Sequence, residues 1–403
     1  MRRRLTLPAA GLLLSMTVVS AASGPFTSPR EEGLITGPGY RSPTSHQDPD
    51  RVWADQLWVD SGTVPGEGTA WEPMARQALT DLRNYQSPSG AMAAGPGGPW
   101  RFFWPRDGSF AAVAFSLTDH PQEASRVLDK VARLGFDPAA GFQARYQLSG
   151  EPLTDRPPQS DGCGWVLWAV GQIRRHDSSG LPGSADGLRD RCVAALTRLV
   201  QDGRRLPPAS PDYWEVSVER TTLGTVAPML AGLAAATDDY RATGDWAAAA
   251  ATSRTTLRLR EVVESAFAPQ WERFGDDGGL DAAVAMLLPP FSSGVPVPAT
   301  LTGAWRDYQR QAIQPAGGLA PGVDWVKHDG SSWTPQTALV ALTSAATGRR
   351  DEAGRSLTWL DAHRTAYGSL PEKVTRTGRP AGPAPLVWTS ALVLLTLVEL
   401  DRA

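Results

Sequence analysis

The stretch Asp107-Gly-Ser-Phe-Ala-Ala-Val-Ala-Phe-Ser-Leu117 is followed closely by Pro121-Gln-Glu-Ala-Ser-Arg-Val-Leu-Asp-Lys-Val-Ala-Arg-Leu134. The first segment is apolar on nearly every side, which is typical of a helix that is buried all round. The second segment is charged on one face and repeats apolar residues with a helical period, at Val127, Leu128, Val131 and Leu134. Gly135 is a suitable stop for it. The two segments therefore predict a buried helix followed by a helix that covers it.

The same alternation continues along the chain. About twelve helical segments can be counted, beginning near residues 72, 107, 121, 160, 185, 220, 242, 279, 298, 333, 351 and 385. Segments 107–117, 160–173, 222–236, 333–346 and 385–398 are apolar nearly all round, whereas 121–134, 185–201, 242–265 and 351–364 carry charge on one face. We find no convincing run of alternating strands. The pattern predicts an all-α fold, an (α/α)6 barrel with six inner and six outer helices.

The N-terminal region has a different character. Residues 1–23 combine a basic cluster, a short uncharged apolar run and small residues, in the order of a secretory signal peptide. The apolar run is too short to be a good membrane anchor. Residues 24–70 are rich in Pro, Gly, Ser and Asp, and we expect them to cross the surface of a barrel domain formed by 71–403. The pattern predicts a secreted, extracellular protein.

Composition and charge exclude several classes of function. The net charge is −3, and the charges are interspersed, so nothing favours binding to nucleic acid or to an anionic membrane. The apolar fraction of 41% indicates a globular protein. We infer no obligate protein partner. The 15 Trp residues are expected mostly in the core, but some could stack on sugar rings because indole has a flat apolar face.

The chain has two cysteines, Cys163 and Cys192. In an exported protein they could form a disulfide, which would close a loop of about 30 residues and stabilise the fold by ~3 kcal/mol. Two buried free thiols are the alternative. Two cysteines do not make a metal site, and the sequence has no His-x-x-x-His or Cys-x-x-Cys spacing, so we expect no metal and no other cofactor.

Four loop segments beside predicted inner helices carry polar residues that could do chemistry: 100–107, 159–162, 211–215 and 368–372. Loops at one end of a helical barrel converge on a cleft, where a ligand is expected to bind. Each segment also has a structural explanation. Asp107 and Asp161 could be helix N-caps, and Glu215 and Glu372 could be solvated acids. The ordered set, rather than any one member, indicates a function.

In this order the segments resemble the catalytic domain of glycoside hydrolase family 15, the glucoamylases and their bacterial relatives, over residues 72–400. Trp104-Pro-Arg-Asp107, Trp214-Glu215 and Leu370-Pro-Glu372 match the family's Trp-x-Arg-Asp, Trp-Glu and Leu-Pro-Glu stretches. Arg273-Phe-Gly-Asp-Asp277 matches a loop of the bacterial branch. The family fold is a six-fold double ring of helices, in agreement with the helix count.

The resemblance implies a secreted, exo-acting, inverting glycoside hydrolase that releases glucose from the non-reducing end of an oligo- or polysaccharide. Glu215 would be the general acid, protonated at rest because Trp214 and a closed cleft desolvate it. Glu372 would be the general base, ionised and ready to accept a proton from water. Inversion requires ~6.5–9.5 Å between the two carboxyl groups. Arg106 and Asp107 would hydrogen-bond the terminal glucose.

Three further side chains are candidates for the site. Trp104 and Trp388 could form walls of the pocket or fill the core. Asp161 could contact the sugar or act as an N-cap.

The chain departs from the family at two places that bear on the substrate. Trp100 or Phe102 stands where family members often have a Tyr that supports the base, and Ala320-Pro-Gly322 replaces a sugar-binding Arg-Tyr. The linkage therefore stays open between α-1,4, α-1,6 and trehalose-type, with a short isomaltose-like glucoside as one candidate. The alternatives are a glycan-binding protein that has lost catalysis, and a phosphorylase or a hydrolase of another sugar on the same barrel, for which Lys373 could serve a phosphate site.

Overall fold

The computed structural model describes residues 49–292 and 296–402. Within them the α-helices are α1 (Pro49–Val59), α2 (Glu72–Tyr85), α3 (Pro105–Leu117), α4 (Pro121–Ala132), α5 (Gly162–His176), α6 (Ala185–Leu199), α7 (Leu223–Ala242), α8 (Trp246–Phe267), α9 (Ala299–Gln311), α10 (Thr334–Ala346), α11 (Arg350–Ala362) and α12 (Val387–Arg402). Three short 3₁₀ helices span Gly98–Trp100, Ser178–Gly180 and Ala282–Leu287. The predicted signal peptide lies outside the described residues.

The inner helices form a closed ring. Along it α3 packs against α5, α5 against α7, α7 against the 3₁₀ helix Ala282–Leu287, that helix against α10, α10 against α12, and α12 again against α3. Outer helices cover this ring: α4 packs on α3, α6 on α5, α8 on α7, α9 on the 3₁₀ helix, α11 on α10 and α2 on α12. The predicted (α/α)6 barrel is confirmed.

Burial explains why the two rings differ in sequence. Every residue of α3 is buried, as the absence of a polar face predicts. On α4 the predicted apolar positions Val127, Leu128 and Val131 are completely buried, while Arg126 and Asp129 on the same helix face solvent. The inner helices thus form the core from all sides, and the outer helices shield it with one face each.

Two elements differ from the sequence-based expectation. The sixth inner member is the 3₁₀ helix Ala282–Leu287 instead of an α-helix. Gly278 and Gly279 precede it and Pro289 and Pro290 follow it, which leaves room for a short apolar segment only. The second difference is α1, which lies in a segment that was expected to be irregular and packs against α2. No helix of the described residues is long and apolar enough to cross a membrane.

The strands of the described residues are two residues long and serve to fix loops. A hairpin pairs β1 (Phe136–Asp137) with β2 (Gly141–Phe142). A three-stranded antiparallel sheet has the order β3 (Ser332–Trp333), β4 (Lys373–Val374) and β5 (Pro380–Ala381). Since β3 runs directly into α10, this sheet attaches the segment around Glu372 to the start of an inner helix.

Cys163 and Cys192 form a disulfide that joins α5 to α6, with the two Cα atoms 5.1 Å apart. Of the two possibilities that the sequence left open, the structure has the disulfide. The bond ties an inner helix to the outer helix that covers it, and both cysteines are buried.

We expect a Cys163→Ala/Cys192→Ala variant to unfold at a temperature several degrees lower than the oxidised wild type. The sequence separation of 29 between the cysteines corresponds to about 3 kcal/mol in the chain-entropy treatment, and about 1 kcal/mol shifts the Tm of a domain this large by ~2–4 °C. Calorimetry with and without reductant measures the difference. Reductant should lower the Tm of the wild type and leave that of the variant unchanged; equal Tm values for the oxidised wild type and the variant would contradict a stabilising disulfide.

Candidate active site

A cavity of about 430 Å³ opens where the inner helices begin. The first turns of α3, α10 and α12 contribute Arg106, Asp107, Pro335, Gln336 and Trp388, and the loop before α7 contributes 213–216. The other walls come from loops, from the 3₁₀ helix Gly98–Trp100 and from β3: Ala94, Pro99, Trp100, Trp104, Arg156, Pro321, Trp325, Val326, Lys327, Trp333, Glu372 and Leu386. The N-terminal ends of helices carry a partial positive charge, so this end of the barrel is suited to hold carboxylates.

The structure brings the predicted site residues together. Seven of the eight line the cavity: Trp104, Arg106, Asp107, Trp214, Glu215, Glu372 and Trp388. They come from three regions of the chain, 104–107, 214–215 and 372–388, that are each more than a hundred residues from the next, and they meet because each region precedes or begins an inner element of one ring. Asp161 is the exception and lies outside the cavity lining.

Arg106 and Asp107 lie in the first turn of α3 and are almost fully buried. Arg106 Nη2 is 3.2 Å from Asp107 Oδ2, and the guanidinium lies over the ring of Trp388, 4.9 Å from its centroid. Burial raises the pKa of Asp107, while Arg106 acts in the opposite direction. Asp107 is not the N-cap of α3, since that position belongs to Trp104. A donor and an acceptor thus stand side by side at the bottom of the cavity.

Asp161 occupies the N-cap position of α5, but its side chain accepts no capping hydrogen bond. Its Oδ2 instead accepts a hydrogen bond from Trp165 Nε1 at 3.2 Å and lies 3.9 Å from Arg106 Nη1. Burial raises its pKa to about 6. Asp161 therefore has the N-cap position without a capping bond, and its carboxyl group lies beside the guanidinium of Arg106 and outside the cavity lining.

Glu372 is held by its backbone on both sides. Its N–H donates to the carbonyl of Pro383 at 2.8 Å, and its own carbonyl accepts from the N–H of Thr334 at 3.0 Å. The close approach of Gly382 leaves no space for a side chain there, since a Cβ would lie 2.7 Å from Glu372 Oε2. Burial raises the pKa of Glu372, and Lys373 acts in the opposite direction. The carboxyl group is therefore fixed in direction and strongly affected by its surroundings.

Trp100 takes the supporting position next to Glu372. Its Nε1 donates a hydrogen bond of 3.0 Å to Glu372 Oε1 and helps to counter the effect of burial on the pKa of that group. The sequence showed Trp100 only as a departure from a Tyr that supports the base. The structure shows that the indole N–H supplies a donor to the same carboxylate.

We expect Trp100→Phe to move the acidic limb of the kcat/KM profile to higher pH and to lower the rate at acidic pH by about tenfold. A hydrogen bond to a charged group contributes ~1.5–3 kcal/mol. Without it the pKa of Glu372 rises, and a general base that must be ionised then requires a higher pH. Trp100→Tyr keeps a donor at the ring edge and is the matched control. A pH profile of Trp100→Phe that coincides with that of the wild type would refute the role.

Glu215 ends a tight turn. Its N–H donates to the carbonyl of Asp212 at 2.8 Å, and its φ of +56° is in the left-handed region, which costs energy for a residue other than Gly and is often found at functional sites. The side chain is about one-quarter exposed and forms an ion pair with Arg156 through Oε2. Its Oε1 is 3.7 Å from Arg106 Nη2. The carboxylate thus lies between two guanidinium groups.

A buried network holds this turn. Arg273 binds Asp212 through Nη2 and Asp281 through Nη1, each at 2.9 Å, and its guanidinium lies 3.8 Å from the ring centroid of Trp214. Asp212 Oδ1 also accepts from the backbone N–H of Trp214 at 2.9 Å. Burial raises the pKa of Asp281 to about 6. The network fixes Trp214 and, through the turn, Glu215.

Several lining residues were not predicted to be in the site. Trp325 and Trp333 continue the aromatic wall, with ring centroids 5.2 Å apart, and Lys373 packs over Trp333 with Nζ 5.0 Å from the centroid instead of lining the cavity. The abundance of Trp was the one signal for such a wall. Arg156 had no signal in the sequence.

Among the described residues, no three His, Cys, Asp or Glu side chains are grouped so that they could hold a metal ion.

A closed double ring of helices with an acid-lined cavity at one end places the chain in a class of fold that solved glycosidases share. A structure described as a wild-type glycosidase matches with a TM-score of 0.70 and 23% identity over 81% of this chain and 96% of that chain. A glycosidase variant solved with glucose gives 0.71 and 22% with the same coverage.

Glucoamylases match as well. The glucoamylase of Saccharomycopsis fibuligera has a TM-score of 0.65 and 16% identity over 86% of this chain and 96% of that chain. A bacterial glucoamylase complexed with acarbose has 0.69 and 15%; the match covers 89% of this chain and 59% of that one. No protein-family model and no curated protein matches the sequence. The fold is therefore that of the glucoamylase catalytic domain, as the resemblance implied.

Proposed function

We propose that this protein is a secreted glycoside hydrolase of the glucoamylase type that releases glucose from the non-reducing end of α-glucosides with inversion. One observation carries the proposal: the expected acid, the expected base and the expected glucose-binding pair, predicted from three distant segments, line a single cavity. The fold shared with glycosidases supports it. The volume of about 430 Å³ is within the range of small-molecule sites.

The glycosidic bond breaks through an oxocarbenium-like transition state. Glu215 donates a proton to the leaving oxygen, while Glu372 accepts a proton from the water that attacks the anomeric carbon from the opposite face. The direction of the pKa shift of Glu372 supports its assignment, because a general base is most effective when its pKa approaches the working pH. Trp100 keeps the same carboxylate from being protonated too readily.

The exo mode of action rests on Arg106 and Asp107. Both side chains are almost fully buried, and Trp388 and Asp161 lie next to the guanidinium. A cavity that ends in a buried donor and acceptor accommodates a terminal sugar and stops a chain from passing through. The pair can bind adjacent hydroxyl groups in opposite hydrogen-bonding senses.

An NMR assay on maltose, isomaltose, trehalose and soluble starch tests the function and names the linkage. We expect β-glucose to appear first from at least one substrate. Release of α-glucose would contradict inversion, and equal cleavage of end-blocked and free oligosaccharides would contradict exo action. Binding of a glycan without hydrolysis would instead support the catalytically inactive alternative.

For secretion, the full chain is expressed in a bacterial host, and export with removal of residues 1–23 is the expected result.

A further inference from the structure

Arg156 is the one arginine of the cavity lining that approaches Glu215 from a loop rather than from a helix. It forms an ion pair with Oε2 of the expected acid, and its side chain is one-third exposed to solvent. Arg106, by contrast, is nearly buried and approaches Oε1. The two oxygens of Glu215 thus face two cations in different surroundings.

The backbone on both sides of Arg156 is anchored. Asp155 pairs with the buried Arg145. On the other side, Ser160 N–H donates to Ser210 Oγ at 3.0 Å, and Gln159 Nε2 donates to the carbonyl of Asp212 at 3.3 Å. The loop therefore holds Arg156 beside the turn that carries Glu215, while the exposed part of its side chain can change partners without moving the backbone.

The proposed role of Glu215 indicates which part of the substrate Arg156 would meet. The acid delivers its proton to the oxygen of the leaving group, so the leaving group lies against Glu215, on the side away from the sugar that Arg106 and Asp107 hold. A cation on the open side of Glu215 therefore faces the leaving group. Glu215 has to face the leaving oxygen in order to donate its proton, so its contact with Arg156 has to open before each turnover.

We propose that Arg156 binds the leaving group and selects one that carries an anionic group, a carboxylate or a phosphate. This inference rests on the proposed function and specifies its substrate class. On binding, the substrate anion replaces Glu215 as the partner of the guanidinium. This exchange leaves Glu215 free to face the leaving oxygen.

The step balances with water as the co-reactant. The bond from the anomeric carbon to the leaving oxygen breaks as a bond to the water oxygen forms. Glu215 loses its proton to the leaving oxygen, and Glu372 gains a proton from water. When the anionic product departs, Glu215 contacts Arg156 again. Glu372 releases its proton to solvent, and Glu215 regains one from solvent before the next turnover.

An anion suits this exchange better than a hydroxyl group does. Hydrogen bonds between a guanidinium and a carboxylate or phosphate are shorter and roughly twice as strong as neutral ones, and they can be bidentate. A neutral hydroxyl group would have to open the ion pair with a weaker bond. Asp107 and Glu372 are the other acids that interact electrostatically with Glu215. Asp107 is assigned to the terminal sugar and Glu372 to the attacking water, so neither carboxylate competes with the leaving group for Arg156.

Three glucosides with the same sugar test the proposal: α-glucosyl glycerol, α-glucosyl glycerate and α-glucosyl glycerol phosphate. For the wild type we expect kcat/KM to be about tenfold or more higher for the anionic compounds than for the neutral one. The larger of the two anionic values tells carboxylate from phosphate. Arg156→Gln should reduce the ratio to about one, and Arg156→Lys should restore part of it. Arg241→Gln, which removes a half-exposed surface arginine at the end of α7, is the matched control and should keep the wild-type ratio.

Three results would overturn the inference. The first is a ratio near one in the wild type, and the second is a raised ratio that persists in Arg156→Gln. The third is hydrolysis of neutral disaccharides together with no hydrolysis of any of the three glycerol compounds. Failure on every α-glucoside, neutral disaccharides included, would overturn the proposed function itself, and is thereby distinguished from failure of the role of Arg156. Equal Tm values for the variants and the wild type exclude misfolding as a cause.

Discussion

A Glu372→Gln variant is expected to keep its fold and lose about 10²–10⁴-fold in kcat. Gln has nearly the same shape as Glu, and the backbone bonds to Pro383 and Thr334 that hold this position do not involve the side chain. The amide cannot accept a proton from water, so the attacking nucleophile is no longer activated. Because the group is buried, solvent cannot easily take its place. Steady-state kinetics on the best substrate of the wild type measure the loss.

Glu215→Gln serves as the matched variant, because a better leaving group should restore the rate when the acid is lost but not when the base is lost. An acid is needed only when the leaving oxygen must be protonated. Glu215→Gln should therefore lose about 10²–10⁴-fold on a disaccharide and much less on an α-glucoside with a phenol of low pKa as leaving group. Glu372→Gln should be equally slow on both. The opposite pattern would exchange the two roles, and near-normal turnover by either variant would rule out its role as a catalytic residue.

Arg273→Met is expected to have the largest effect on stability. The substitution leaves Asp212 and Asp281 in the core without the guanidinium that binds both at 2.9 Å. Removal of one partner from a buried ion pair typically costs ~3–5 kcal/mol. Activity should fall as well, because the turn that carries Glu215 loses its anchor. Urea unfolding of both proteins at pH 8 measures the difference in the free energy of unfolding.

The loss in Arg273→Met should depend on pH. Burial already raises the pKa of Asp281 to about 6 in the wild type, above its value in an unfolded chain, and without Arg273 it rises further. A carboxyl group with a raised pKa in the folded state costs stability as the pH increases through that pKa. The variant should therefore be closer to the wild type at pH 5 than at pH 8. Arg273→Lys, which keeps a charge but not the fork of donors, should lie in between; a pH-independent difference would count against the unpaired carboxylates as its cause.

The barrel could be predicted because its two rings have different sequence patterns. The start of every predicted segment agrees with an observed helix within four residues, since buried helices without a polar face and one-sided helices both leave a strong local signal. The two elements that were predicted incorrectly also have an explanation in their local sequence. The helix α1 lies in a Pro- and Gly-rich region, where composition argued against regular structure, and the six residues of Ala282–Leu287 are too few to show whether their period is that of a 3₁₀ or an α-helix.

The place of the candidate site in the fold was predictable where motifs mark it, as at Arg106, Glu215 and Glu372, which line one cavity. It was not predictable where function depends on contacts between distant segments. Arg156 is 59 residues from Glu215 and looks like an ordinary loop cation in the sequence. Trp100 is 272 residues from Glu372. Such pairs come together only when the ring of helices closes, so no local sequence pattern predicts them.

The contact of α12 with α3 also has a consequence for biosynthesis. Translation completes α3 at Leu117 and begins α12 at Val387, so the ribosome adds 270 further residues before the partner of α3 exists. At about 5–20 residues per second this takes roughly 15–50 s, during which a helix with no polar face has nothing to cover one of its sides. The nascent chain must therefore be kept from aggregating for most of its synthesis. The disulfide between α5 and α6 joins neighbours in sequence, so once the chain reaches an oxidising compartment it can form without waiting for α12 to pack against α3.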